Sequence, residues 1–301
     1  MTVRTVAAPV THRRIEIRVI LAFFAIYVIW GSTFLAIRTA VLLVPPWFSA
    51  GIRFFTAGVI LYVFARLRGA GRPSLREWRS LTIIGFLMFF VTYGALFWGE
   101  QFVPSGVTSV LESTLPLLTV LLEVFVLGQQ RFRWRVMVAV MIGFAGVALM
   151  LLRHGRPGFP IVPCFIILGG SAAWSLGSVL TKSLPLPRSR TITAAAEMML
   201  GGSLLLILSA VAGELHPFPV LPAKAVFSLV YLITAGSLIG FTAFVWLLGR
   251  MPASKVASHA YVNPIVALAL GHFLASEELT LRTLFGAALV IGSVFLIMRE
   301  E

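Results

Sequence analysis

Ten runs of predominantly apolar residues occupy nearly all of this 301-residue chain, and no other feature restricts its fold as much. They lie at approximately 17–37, 47–66, 80–98, 104–127, 134–152, 160–181, 192–212, 225–248, 254–275 and 282–298. A hydrocarbon core about 30 Å thick takes roughly 20 helical residues to cross. Inside a lone apolar segment only a helix satisfies its own N–H and C=O groups, so each run reads as a helix rather than a barrel strand. The expectation is an all-α integral membrane protein of ten transmembrane helices, with sequence neighbours antiparallel and a polar tail at residues 1–16. The first run exceeds the short core of a signal peptide and continues into Trp-Gly-Ser-Thr without a small-residue cleavage site, so it reads as a retained span.

Charge agrees with this reading. Only 12% of residues are charged and mean hydropathy is +0.98, whereas soluble domains carry about 25% charged residues. A water-soluble domain is thereby excluded. The net charge of +13 would suggest nucleic acid in a soluble chain. Here the basic residues sit in short connections between apolar runs, so the lipid bilayer is the expected partner and nucleic acid is not. Eighteen of the 24 Lys and Arg fall on the N-terminal side of the bundle and five on the other, with Arg53 inside a span. That bias places both termini in the cytoplasm. Cys164 is the lone cysteine, so no disulfide framework or cysteine metal site is expected. No His or carboxylate cluster has metal-ligand spacing, and no cofactor is implied.

The chain also repeats itself. Trp98, Pro104 and Pro116 recur 148 residues later as Trp246, Pro252 and Pro264. Trp30, Arg38, Arg53 and Gly58 match Trp174, Lys182, Glu197 and Gly202 at an offset of 144. Two units follow, residues 17–152 and 160–298, each of five helices. An odd number of crossings inserts the second unit upside down relative to the first. Inverted repeats are a signature of secondary transporters, with the substrate site near the midplane between them.

Several segments together resemble the EamA-domain family of the drug/metabolite transporter superfamily, its YedA-like members most. They are Trp30-Gly31-Ser32-Thr33-Phe34, Arg53, Val103-Pro104-Ser105-Gly106, Trp174-Ser175-Leu176-Gly177-Ser178 and Ala260-Tyr261-Val262-Asn263-Pro264. The resemblance covers residues 17–298. It implies a ten-helix carrier of the bacterial inner membrane, commonly an exporter of amino acids, related metabolites or toxic compounds. The family often ends its fourth helix in Gly-Glu. The first unit here reads Gly128-Gln129-Gln130, while the second keeps Glu277 and Glu278, so any role of that Glu passes to Glu277 alone.

Ionisable groups inside spans are costly and need a partner or a water-filled cavity. Glu112 shares a helical face with Ser105, Thr108, Ser109, Pro116, Thr119 and Glu123 at 100° per residue. It reads either as a cavity carboxylate for a substrate amine or a proton, or as a Glu hydrogen-bonded between helices. Arg53 suits bidentate capture of a carboxylate, or a structural pairing. Pro116 and Pro264 are interior to spans four and nine, where each frees a carbonyl and makes a candidate hinge. Asn263 beside Pro264 suits such a carbonyl or a substrate. His259 adds a group that titrates near neutrality. Trp30, Trp174 and Tyr261 suit an apolar or aromatic solute, or ordinary packing. The substrate-binding candidates are thus Glu112, Trp30, Trp174, Tyr261, His259, Asn263 and Arg53.

The reading is a secondary transporter exporting a small organic solute by alternating access, with the proton as candidate coupling ion. An uncoupled facilitator or importer, and a membrane receptor or structural protein that does not transport, stand as alternatives. No GxSxG or HExxH motif points to an enzyme. Oligomeric state leaves no signal.

Overall fold

Pro46 opens the second helix because a first helical turn has no use for the N–H that proline lacks. Ser74 opens the third through a capping box: its hydroxyl accepts from Glu77 N, and the Glu77 carboxylate accepts from Ser74 N at 2.6 Å. That box starts the helix at Leu75, before the apolar run at 80. The turn is polar (Arg76, Glu77, Arg79), so hydropathy alone gave no sign of it. Ser189 caps the seventh helix by accepting from Ile192 N.

The computed structural model describes residues 17–126, 128, 133–151, 161–181, 183–248, 250, 256 and 258–300. The expected tail, residues 1–16, lies outside them. In chain order the helices are α1 (Ile17–Val41), α2 (Pro46–Leu67), α3 (Leu75–Gly99), α4 (Ser105–Phe125), α5 (Trp134–Leu151), α6 (Ile161–Leu180), α7 (Arg190–Val211), α8 (Ala223–Phe244), α9 (His259–Ala275) and α10 (Leu281–Glu300). No strand occurs among the described residues. Among the described residues seven helices, α1–α4 and α6–α8, are long and apolar enough to cross a membrane, and the described apolar stretches of α5, α9 and α10 are shorter.

The distribution of polarity is that of a multi-pass membrane protein. Large apolar side chains such as Ile17, Phe24, Phe64, Val211, Phe227 and Phe273 face outward, while Thr92, Ser105, Ser171 and Ser175 are buried and hydrogen-bonded across helices. In lipid, apolar exposure costs nothing and polar groups turn inward to find partners. The broadest helix pairings are α2 with α7 and α5 with α10, followed by α3 with α6 and α1 with α8, then by α3 with α7 and α1 with α9. At the α2–α7 crossing Gly58 lies against Ala195 and Met199, and Gly202 against Phe54 and Phe55. Widened π-type turns interrupt α1 at Ala25–Ile29, α3 at Phe86–Val91 and α8 at Leu232–Gly240, and a further one, Leu122–Val126, runs through the end of α4.

Candidate functional site

Proline creates the first element of the site. Pro116 has no N–H to give the carbonyl of Glu112, and α4 breaks there: a helical piece ends at Glu112, and the next begins at Leu115. The break sets Glu112 at a helix end within the bundle. Its carboxylate accepts a 2.8 Å hydrogen bond from the Ser171 hydroxyl of α6. Ser175, one turn further along α6, donates to the Leu115 carbonyl at 3.1 Å. Two serines of α6 thus bond to α4 on either side of its break.

The second element is a buried guanidinium. Arg53 of α2 is 4% exposed and donates from Nε to the Ser237 hydroxyl at 3.1 Å. Its Cζ lies 4.6 Å from the Phe54 ring centroid and 5.6 Å from that of Tyr93. Arginine is suited to such aromatic surroundings because its planar cation is weakly hydrated and attracted to ring faces. The terminal nitrogen Nη1 has no hydrogen-bond partner. Glu197, equivalent to Arg53 by sequence offset, lies on α7 and keeps one carboxylate oxygen unpartnered.

The third element joins α1, α8 and α9. Trp30 follows the widened turn of α1 and donates from Nε1 to the Gly236 carbonyl, at 3.0 Å, in the widened turn of α8. Such turns release backbone groups from the regular ladder, and side chains take them up. His259 meets the Trp30 ring edge-on at 5.0 Å between centroids. With its amide oriented by the hydrogen-bond network, Asn263 donates to the carbonyls of Ile26 at 3.0 Å and Tyr27 at 3.1 Å, both in the widened turn of α1. Pro264 lies next to it inside α9.

These elements surround one cavity holding about 1030 Å³ of empty space, including the part open to solvent. Six of the seven substrate-binding candidates line it: Glu112, Trp30, Trp174, His259, Asn263 and Arg53. Tyr261 is placed elsewhere, in an apolar cluster with Val294 and Ile297 and edge-on to Phe295 at 6.4 Å. Pro264 is in the lining, whereas Pro116 acts on it through the break. Phe89, Tyr93, Phe241 and Phe244 complete an aromatic wall. Sequence reasoning missed Ser171 and Ser237, the partners of the two charges. Single serines in apolar runs are common packing residues, and the only available signal was their isolation among apolar neighbours. Among the described residues no group of three His, Cys, Asp or Glu is arranged to hold a metal ion.

Known proteins carry matching sequences. Residues 17–152 and 162–299 each match the EamA-like transporter family. The chain is 36% identical to the uncharacterized inner membrane transporter YedA of Escherichia coli (strain K12), over 92% of this chain and 89% of that one. It is 28% identical to a probable terminal-alkyne amino-acid exporter of Streptantibioticus cattleyicolor, with 91% of each chain covered. It is 24% identical to a probable amino-acid metabolite efflux pump of Escherichia coli (strain K12), over 90% of this chain and 91% of that one. A solved crystal structure, 20% identical in sequence, superposes with a TM-score of 0.64 over 93% of this chain and 96% of that one, a likeness of fold.

Proposed function

The chain belongs to the EamA-like transporter family, and on that premise we propose that it is a secondary transporter exporting a small organic solute across the bacterial inner membrane. In this reading α1–α5 and α6–α10 are two inverted five-helix repeats, all ten helices cross the bilayer, both termini are cytoplasmic, and the cavity is reached alternately from either side. The packing supports the repeat. Exchanging α1–α5 with α6–α10 maps α2–α7, α4–α9 and α5–α10 onto themselves, and carries α3–α6 to α1–α8, α4–α6 to α1–α9 and α3–α7 to α2–α8.

The observation that carries the reading is the composition of the cavity wall, which takes a carboxylate and a guanidinium from the first half and an aromatic lining from both. Glu112 is suited to a substrate ammonium group or an exchanged proton. Arg53 Nη1 is a donor that a substrate carboxylate would satisfy. Trp30, Trp174, Phe89 and Phe244 are suited to an apolar body. An amino acid, a related metabolite or a drug-like amphiphile has this chemistry, and two of the relatives are named for amino-acid substrates. The proton is the candidate coupling ion because Glu112 is a titratable group within the site.

Counterflow tests the proposal. Proteoliposomes preloaded with pools of unlabelled amino acids and related metabolites are supplied with each labelled solute from outside. Saturable uptake driven by one pool, lost in Arg53→Met, is the expected result. Saturable binding without counterflow, in folded protein, would make this a receptor and overturn the transport reading.

A further inference from the structure

The carboxylate of Glu277 lies outside the cavity and bridges the two halves of the chain. The α9 helix ends in a left-handed turn at Ser276, φ 54°, with Glu277 N bonded to the Gly271 carbonyl at 3.0 Å. Serine pays a steric penalty in that conformation, and the turn directs the Glu277 side chain onto the first turn of α4. There Oε1 accepts from Ser105 N and Ser105 Oγ, each at 2.8 Å, and Oε2 accepts from Gly106 N at 3.0 Å. Helix N-termini hold unsatisfied N–H groups and a partial positive charge, so an ionised carboxylate there makes charge-assisted bonds. Two glycines permit the approach. A Cβ on Gly271 would strike the Glu277 carboxylate, and one on Gly106 would lie 2.7 Å from the Leu268 side chain of α9.

We propose that Glu277 is the latch of the outer gate: opening the cavity to the outside requires its carboxylate to leave the first turn of α4. This rests on the transport reading above, in which the α3–α4 and α9–α10 connections share the outer face. α4 carries Glu112 and Ser109 in the cavity wall, and α9 carries Asn263 and Pro264. A tie between the outer end of α4 and the outer end of α9 therefore closes the cavity between them. The latch breaks without breaking a covalent bond or a helix, because water can replace the carboxylate at the three donors. The sequence supplies a carboxylate at only one of the two matched places, since Gln129 stands 148 residues before Glu277. Neutral acceptors make weaker bonds than ionised ones.

The test uses the full chain with Cys164→Ser and a reporter Ser109→Cys, a near-isosteric change in the cavity wall one turn below Ser105. A membrane-impermeant maleimide is added outside intact cells, and its labelling rate at residue 109 is compared with and without Glu277→Gln. Glu277→Gln is expected to raise that rate roughly tenfold by releasing the outer gate. An unchanged rate overturns the latch, even where counterflow proceeds. Acceleration only from the cytoplasmic face, in inverted vesicles, overturns its assignment to the outer side. General unfolding is separated by a second measurement on a chain that keeps both Cys164 and Ser109, the labelling of native Cys164, which is fully buried. If Glu277→Gln exposes Cys164 as strongly as it exposes residue 109, Glu277 is a structural cap and the proposal fails. The labelling needs no substrate, so an active latch in a protein without counterflow would sink the transport reading alone.

Discussion

Replacing Gly58 by alanine adds one methyl group at the crossing of α2 and α7, where the structure leaves no room for it. A Cβ there would lie 2.6 Å from Met199 N, 2.8 Å from Ala195 O and 2.9 Å from Met199 Cα. All three are backbone atoms, so no rotamer change relieves the clash. Bringing those contacts to an ordinary separation moves the helices apart by roughly 1 Å, and a gap of that size forfeits about a quarter to a half of each lost van der Waals contact. Overpacking of this kind costs about 1–3 kcal/mol. Gly202, its repeat-related partner, is equally tight: a Cβ there meets Phe55 N and lies 2.9 Å from Phe54 C. The assay is unfolding of purified protein in detergent, by heat or by SDS titration. Gly292→Ala in α10 is the internal control, because nothing lies within 4 Å of a Cβ at that position. There alanine is expected to be neutral or to stabilise by up to about 1 kcal/mol, through its better helix propensity. The double variant Gly58→Ala/Gly202→Ala should cost less than the sum of its parts, because the first methyl already separates the helices. Equal stability of Gly58→Ala and wild type, or equal loss in Gly292→Ala, would refute the close-approach argument.

Three further outcomes are expected. Glu112→Gln should lower counterflow by about tenfold or more and flatten its dependence on pH; unaltered rate and pH profile would remove Glu112 from the cycle. Pro264→Ala and Pro116→Ala each restore an N–H toward the carbonyl four residues back, so both should stiffen their helices, slow transport and change the accessibility of the two cavity mouths. Unchanged transport with unchanged labelling would end the hinge proposal. Glu100 follows α3, is 0% exposed, and has no hydrogen-bond partner at either carboxylate oxygen. Burial pushes its carboxyl well above the usual range, opposed by the nearby Arg38, which donates to the Glu100 and Val103 carbonyls. A raised value means that the folded state holds the proton more tightly than the unfolded one. Wild-type stability should therefore fall as pH rises above about 4.3, the unfolded Glu value. Glu100→Gln should lack that decline and gain on wild type as pH increases. Parallel pH–stability curves would contradict this.

The charged residues of the site separate what could be read early from what could not. Glu112 and Arg53 stood out because an ionisable group in an apolar run is expensive wherever it points, so the chain itself flags them. Trp30, Trp174, Asn263 and Pro264 stood out because each fell in a matched motif or beside one. Tyr261 had the same motif membership, yet the structure places it beside Phe295 rather than in the cavity. One residue along a helix turns a side chain by 100°, so Ala260 and Asn263 reach the cavity while Tyr261 turns away. Ser171, Ser237, Glu100 and the cap made by Glu277 had no local signature. Their roles exist only through groups 59 to 184 residues distant or through burial.

Sequence alone determined the all-helical membrane class, the two matched units, and the family to which they belong. Those follow from local quantities: the length of an apolar run against the thickness of a bilayer, the places of Trp and Pro, and the sign of charge in short connections. Tertiary structure decided which faces meet. The break at Pro116 carries Glu112 to Ser171, the widened turn of α8 gives Gly236 to Trp30 and Ser237 to Arg53, and the turn at Ser276 sets Glu277 on α4. Helix rotation and close approach depend on van der Waals packing and hydrogen bonds between segments far apart in the chain. Hydropathy responds to neither, because large apolar residues of these helices occur both facing outward, as Phe64 does, and in the core, as Phe54 does.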